Sequence, residues 1–125
     1  MDFQEDYAQI QPKMYENESR IQKAKKVISI IKHYVGETKD RHLLDIGCST
    51  GIMTSYYSNF FRDVDAIDID TNAVEFASRT FKDMGINFQI TEVEKFNPEY
   101  KYDVITCSHI YEHVPDSKVL FKQIY

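Results

Sequence analysis

The stretch Leu43-Leu44-Asp45-Ile46-Gly47-Cys48-Ser49-Thr50-Gly51 decides the fold of this chain. Its first four residues form an apolar run that is too short for a helix and is closed by a glycine, which predicts a buried strand. In the residues that follow, apolar side chains recur at helical spacing as far as Phe60. The stretch therefore predicts a tight turn that leads from a buried strand into a helix.

Strands and helices alternate on both sides of this turn. Amphipathic spacing predicts a helix over residues 17–35, which Gly36 ends, and another that Asp70 caps and Gly85 ends. The second helix carries an apolar stripe of Val74, Ala77, Phe81 and Met84. Further strands are predicted over residues 64–69, 86–90 and 102–108, and residues 117–125 have the pattern of another helix. This alternation predicts an α/β fold with a doubly wound parallel sheet.

Length and charge exclude several classes of protein. The 125 residues suffice for one domain, and 42% hydrophobic against 28% charged residues is the balance of a globular protein. A net charge of −5 argues against nucleic-acid binding, and no apolar run is long enough to span a membrane. Two cysteines, Cys48 and Cys107, are too few for a disulfide framework, so we expect a soluble cytoplasmic protein.

The first loop favours a ligand that carries an amino group and no phosphate. Its glycines, Gly47 and Gly51, lack the spacing of the dinucleotide fingerprint, and Asp45 would repel a pyrophosphate but attract a cation. A carboxylate at a buried strand end also needs a partner, supplied either by the protein or by a bound cation. Asp68 follows Gly47 by 21 positions, the offset at which an acidic side chain meets ribose hydroxyls.

Three segments in order resemble the motifs of class I S-adenosylmethionine (SAM)-dependent methyltransferases, chiefly the small-molecule branch. They are Leu44-Asp45-Ile46-Gly47-Cys48-Ser49-Thr50-Gly51, Ala66-Ile67-Asp68-Ile69-Asp70, and Tyr102-Asp103-Val104-Ile105-Thr106-Cys107-Ser108 followed by Glu112-His113-Val114-Pro115-Asp116. The resemblance covers about residues 2–125 and implies a Rossmann-like sheet of strand order 3-2-1-4. That order would place Cys48 and Cys107 close together as buried small side chains. Ser49 stands where many members have glycine, so the loop must tolerate a β-carbon there.

The resemblance also implies a role for each residue near the strand ends. The loop of Gly47, Cys48 and Gly51 would pass under the methionine part of SAM, while Asp45 would help to hold its ammonium group. Asp68 would bind the ribose, Ile69 and Val93 would flank the adenine, Glu92 would meet the adenine amino group, and Ser108 would line the floor beside the methyl donor. Tyr7, Tyr15 and Arg20 lie in the region that closes over the SAM pocket in many relatives. His113 is the candidate general base for a hydroxyl acceptor.

The proposed organisation is a helical leader over residues 1–36 and part of a methyltransferase domain over residues 37–125. Because relatives continue beyond strand four, we expect the sheet to be completed by a missing C-terminal half or by a partner chain. The favoured activity is SAM-dependent methylation of a small-molecule acceptor. A non-catalytic methyltransferase-like binding module is the alternative, and an NAD-dependent oxidoreductase is a distant third.

Overall fold

The computed structural model describes residues 3–98 and 101–107, with side chains from residue 17 onward. The predicted C-terminal helix, Ser108 and His113 lie outside these residues. The described residues form three helices and four strands in the order α1 (Phe3–Val35), β1 (His42–Ile46), α2 (Ile52–Tyr57), β2 (Asp63–Asp68), α3 (Thr71–Thr80), β3 (Ile86–Ile90) and β4 (Val104–Cys107), with a 3-10 turn at Val93–Lys95 between the last two strands.

The four strands form one parallel sheet in the order β3-β2-β1-β4, which confirms the predicted topology. β1 lies at the centre of the described sheet, and all five of its residues are buried. Its neighbours meet it in register, with Asp45 opposite Ala66 of β2 and opposite Thr106 of β4. The carboxyl ends of all four strands therefore lie along one edge of the sheet.

Apolar side chains cover both faces of the sheet. On one face, α1 and α2 pack against β1 and β2 through a buried cluster of Ala24, Ile28, Ile31, Leu43, Met53, Tyr57, Phe61 and Val64. α3 covers the same face nearer β3, where Val74 packs with Cys48 and Ala66. On the other face, Leu44, Ile46 and Ile67 are covered by side chains that include Val93, Phe96 and Tyr102. Within the described residues no helix is long and apolar enough to cross a membrane.

Helix boundaries differ most from the sequence prediction. α1 begins at Phe3, well before the predicted residue 17. α2 ends at Tyr57, and Phe60 lies beyond it because the Ser58 and Asn59 side chains hydrogen-bond to preceding carbonyls and tighten the chain. The end of α2 reflects local polar interactions that apolar periodicity does not detect.

The end of α3 was also predicted wrongly. The helix stops at Thr80, and Phe81 caps it by donating its backbone N–H to Ala77 O. The predicted stripe is buried only at Val74 and Ala77, whereas Met84 is exposed. Gly85 (φ +72°) instead ends the turn that follows the helix, since the chain must reverse there to begin β3 at Ile86.

The strands lie close to their predicted positions. β3 matches the predicted residues, while β2 begins and ends one residue earlier than expected and leaves Ile69 outside the strand. β4 is described over Val104–Cys107.

Candidate functional site at the carboxyl edge of the sheet

The loop after β1 is shaped by three residues in the left-handed region. Gly47, Ser49 and Gly51 have φ angles of +75°, +51° and +82°. The N–H groups of Gly47 and Cys48 both donate to Ile67 O of β2, at 2.8 and 3.1 Å. Ser49 carries a β-carbon in this left-handed conformation, which a single serine can adopt at modest cost.

Asp68 ties this loop to the ends of β2 and β3. Its Oδ2 accepts a hydrogen bond from Ser49 N–H at 2.7 Å, and its Oδ1 accepts one from Asp70 N–H at 3.0 Å. Its backbone oxygen accepts from Thr91 N–H at 3.0 Å, which joins the end of β2 to the segment that follows β3. A carboxylate has about four lone-pair positions, so two further donors can still be accepted at Asp68.

Gly51 is required by packing as well as by its backbone angle. A β-carbon built on it would lie 3.0 Å from Ala77 Cβ and 3.2 Å from two ring atoms of Phe88. The start of α2 thus lies directly against α3 and β3. This close approach holds the loop at the sheet edge, and it depends on residues far away in the sequence.

Asp45 lies beneath the loop and is completely buried. Its Oδ2 accepts a hydrogen bond from Thr54 Oγ1 of α2 at 2.6 Å, and its Oδ1 accepts one from Thr106 Oγ1 of β4 at 2.8 Å. A buried carboxylate at this position was expected to need a partner, and two threonine hydroxyls of the protein provide it. We did not predict either threonine, although the alternating pattern of β4 and its parallel register with β1 contain the signal for Thr106.

The two cysteines lie near the carboxylates at this edge of the sheet, and the pKa of each thiol is raised. Cys48 is almost fully buried, as predicted, and burial raises the pKa of its thiol far above the ordinary value, with Asp45 and Asp68 raising it further through their charges. Cys107 is half-buried next to Ile46, and its thiol pKa is raised by burial and then by Asp45. Neither thiol has the environment of a nucleophile, because a reactive cysteine needs a lowered pKa.

A cationic side chain of the N-terminal helix also contacts the glycine loop. Arg20 of α1 donates from Nη1 to Thr50 Oγ1 at 3.3 Å, across 30 residues of sequence. The long N-terminal helix therefore reaches the glycine loop through Arg20. The side chains of Tyr7 and Tyr15 lie outside the described part of the chain.

The residues predicted to contact adenine follow the two strands beyond β1. Ile69, directly after β2, is 67% exposed. Val93 begins the 3-10 turn after β3 and packs against the cluster of Leu44, Ile46 and Ile67. Glu92 is exposed, and its Oε2 lies 3.6 Å from Lys95 Nζ. The structure thus brings all the described candidate residues to one edge of the sheet.

A separate polar cluster lies on the other face of the sheet. Tyr102 donates its hydroxyl to Asp65 Oδ2 at 2.5 Å, and His42 Nε2 lies 3.3 Å from the same oxygen. Asp65 and Tyr102 also line a cavity of about 360 Å³ that the glycine loop does not border. No motif or spacing in the sequence points to these residues as a cluster.

Comparison with known proteins agrees with the geometry. The family described as "Methyltransferase domain" matches residues 17–125. Malonyl-[acyl-carrier protein] O-methyltransferase 1 of Ilyobacter polytropus is 34% identical over 118 residues, which are 90% of this chain and 43% of that protein. Ubiquinone biosynthesis O-methyltransferase of Coxiella burnetii is 28% identical over 87 residues, 67% of this chain and 37% of that protein.

A solved structure shares the fold over most of the chain. The plantazolicin methyltransferase BpumL, in complex with a pentazolic desmethylPZN analog and SAH, superposes with a TM-score of 0.74 at 26% identity. The match covers 90% of this chain and 46% of that one. The chain therefore spans less than half the length of each of these three proteins.

Proposed function

The chain belongs to the methyltransferase domain family, and we propose that it binds SAM at the carboxyl edge of its sheet for methyl transfer to a small-molecule acceptor. Both named relatives are O-methyltransferases, and the structural neighbour BpumL is a methyltransferase in complex with SAH. The chain spans less than half the length of each of these proteins, and the methyl transfer is proposed for the protein as a whole.

The distribution of charge around the glycine loop carries this proposal. Two carboxylates, Asp45 and Asp68, place negative charge at the loop, and they add to the rise in the pKa of the Cys48 thiol that burial mainly causes. The Arg20 guanidinium contacts the same loop at Thr50. The methionine end of SAM carries an ammonium and a carboxylate, so these groups complement both of its charges.

The same charges argue against a dinucleotide. A pyrophosphate placed on this loop would lie above the buried carboxylate of Asp45, and the loop lacks the glycine spacing that lets a pyrophosphate approach the helix N-terminus. NAD binding is therefore disfavoured by electrostatics as well as by spacing.

The adenosine end is assigned to the residues beyond β2 and β3. We propose that Asp68 accepts from the ribose hydroxyls with its remaining lone pairs, and that the exposed Ile69 and the half-buried Val93 flank the adenine. Glu92 is exposed at the same edge and is proposed to accept from the adenine amino group.

Positioning accounts for most of the catalysis that such a site requires. SAM supplies an electrophilic methyl group on a sulfonium, which an acceptor must approach in line. This chain holds the donor through its loop, its two carboxylates and Arg20. For a hydroxyl acceptor a base is also needed, and His113 is proposed for that role, with Ser108 beside the methyl donor.

Calorimetric titration of the full-length protein with SAM tests the proposal. We expect Asp68→Ala to weaken binding by about tenfold or more, since a hydrogen bond to a charged group contributes about 1.5–3 kcal/mol. Arg20→Ala should weaken it similarly. The matched controls are Asp63→Ala and Arg62→Ala, which remove an exposed ion pair at the opposite end of β2 and should leave SAM binding unchanged.

Two outcomes would contradict the proposal. One is a folded protein that does not bind SAM, and the other is a Kd for SAM that Asp68→Ala leaves unaltered. A change in NADH fluorescence on mixing would favour the oxidoreductase instead. Formation of SAH in the presence of small-molecule acceptors separates an enzyme from a non-catalytic binding module.

A further inference from the structure

We propose that the Thr106 hydroxyl, which donates to Asp45, accepts a hydrogen bond from the amino group of the bound cofactor, and that Thr54 is a positioning residue that holds Asp45 in place. This inference rests on the proposed SAM binding and assigns the recognition of one group of that ligand. Neither threonine was a candidate from the sequence, and both enter through contacts that only the fold creates.

The two hydroxyls hold both oxygens of the carboxylate. Thr54 reaches Oδ2 from α2, the helix that begins directly after the glycine loop, and Thr106 reaches Oδ1 from β4. Asp45 and Thr54 are completely buried, and Thr106 is 9% exposed. Since the donors come from opposite sides, the carboxylate has little freedom to rotate.

A charged group at this position needs an explanation other than packing. Burying a carboxylate costs free energy even when hydroxyls solvate it, and an apolar side chain would fill the same space between β1, α2 and β4 without that cost. The field of Asp45 also reaches beyond its own hydrogen bonds, because it raises the thiol pKa of both Cys48 in the loop and Cys107 at the end of β4. A retained negative charge beneath this loop is suited to a cation above it.

The Thr106 hydroxyl can hydrogen-bond both to the buried Asp45 carboxylate and to a ligand. A hydroxyl has one hydrogen and two lone pairs, and the hydrogen of Thr106 is donated to Asp45. Its lone pairs can therefore accept from an ammonium group, and the neighbouring carboxylate strengthens that acceptor by polarising the hydroxyl. Thr106 precedes Cys107, the last residue described in β4, so it stands close to the carboxyl edge.

Thr54 contacts Asp45 and is separated from the ligand by Asp45 and Thr106. By holding Oδ2 it keeps Oδ1 directed at Thr106, and it connects this arrangement to the first helix after the loop. Thr54 should therefore influence ligand binding only through the orientation of Asp45.

The test compares two ligands of the full-length protein by calorimetry, SAH and a deaminated SAH in which hydrogen replaces the amino group. We expect Thr106→Val to weaken SAH binding by about tenfold or more while leaving the Kd of deaminated SAH unchanged, in line with the strength of hydrogen bonds to charged groups. Thr54→Val should have the same selective effect in smaller measure. Thr54→Ser and Thr106→Ser, which retain the hydroxyl, should restore wild-type SAH affinity.

Thr38→Val is the matched control. It removes another buried hydroxyl, which donates to Phe60 O away from the loop, so it should alter stability without altering the ratio of the two affinities. If the valine variants lost affinity for SAH and for deaminated SAH by the same factor, the inference would be overturned, because the hydroxyls would then only support the fold. Unchanged SAH binding in both valine variants would overturn the inference as well. A wild-type protein that binds SAM but binds deaminated SAH more tightly than SAH would refute the recognition of the amino group and leave the proposed SAM binding intact.

Discussion

Gly51 illustrates how one residue of the loop satisfies two separate requirements. Its φ of +82° lies in the left-handed region, and its missing β-carbon makes room for Ala77 and Phe88. Gly85 has a similar φ of +72°, but a β-carbon there would meet no atom within 4 Å. Replacing Gly85 would therefore introduce backbone strain alone, whereas replacing Gly51 would introduce both backbone strain and steric overlap.

We expect Gly51→Ala to destabilise the protein more than Gly85→Ala does. Alanine in the left-handed region costs about 1–2 kcal/mol at either position. Overlap with Ala77 and Phe88 should add about 1–3 kcal/mol at Gly51 alone. Urea unfolding of the two variants measures the difference, and equal losses of stability would show that α3 and β3 do not constrain the loop.

At the scale of elements, α3 shows which signals in a sequence are local. Asp70 was predicted as its N-cap, and its Oδ1 does accept from Ala73 N–H at 3.1 Å. The C-terminal end was predicted wrongly because it depends on where the chain must reverse to place β3 beside β2. A capping residue acts within one turn, whereas the end of this helix follows from the arrangement of the sheet.

Asp70→Ala should lower the free energy of unfolding by about 1 kcal/mol, the usual cost of removing an N-cap acceptor. Asp70→Ser should recover most of that loss, since its hydroxyl can accept the same hydrogen bond. The control is Asp83→Ala, which removes an exposed carboxylate from the turn after α3. Chemical denaturation that finds Asp70→Ala no more destabilised than Asp83→Ala would contradict a capping role.

At the scale of the whole molecule, the sheet places Asp45 and Asp68 at its carboxyl edge and packs its apolar side chains in two layers. Asp45 and Asp68 share that edge with the half-buried Cys107 and the buried Cys48, whose thiol is kept protonated. β4 pairs with β1, and no strand among the described residues pairs with its other side. Completion of the sheet by further sequence or by a partner chain stays a prediction.

The buried thiol makes the stability of the whole molecule depend on alkaline pH. The Cys48 pKa is raised in the folded chain, whereas in the unfolded chain the thiol ionises near its ordinary value of 9.0. The stabilising contribution is complete below that value and is lost as pH rises above it, because unfolding then releases a proton. Above pH 9 the wild type should lose about 1.4 kcal/mol per pH unit more than Cys48→Ala does.

Urea unfolding between pH 7 and pH 10 measures this difference in slope. The comparison of slopes cancels the cavity that the shorter side chain leaves, since that loss is the same at every pH. Parallel curves for the two proteins would mean that the thiol ionises equally easily in the folded and unfolded chains.

The sequence by itself determined the elements whose signals lie within a few residues. The apolar run of β1, the positions of Gly47 and Gly51, the Asp70 cap and the order of strands and helices were all predictable, as was the parallel sheet that their alternation demands. The strand order followed from the resemblance of three ordered motifs. These features depend on local conformational preference and on periodicity, which a single sequence records directly.

Only the tertiary structure decided which distant groups meet. Thr106 lies 61 residues from Asp45, Phe88 lies far from Gly51, and Arg20 reaches Thr50 across 30 residues. Such contacts arise from strand register and helix packing, for which residue spacing holds no direct signal. The carboxylate of Asp45 could be recognised from the sequence as needing a partner, but whether that partner was a ligand or the protein depended on the fold.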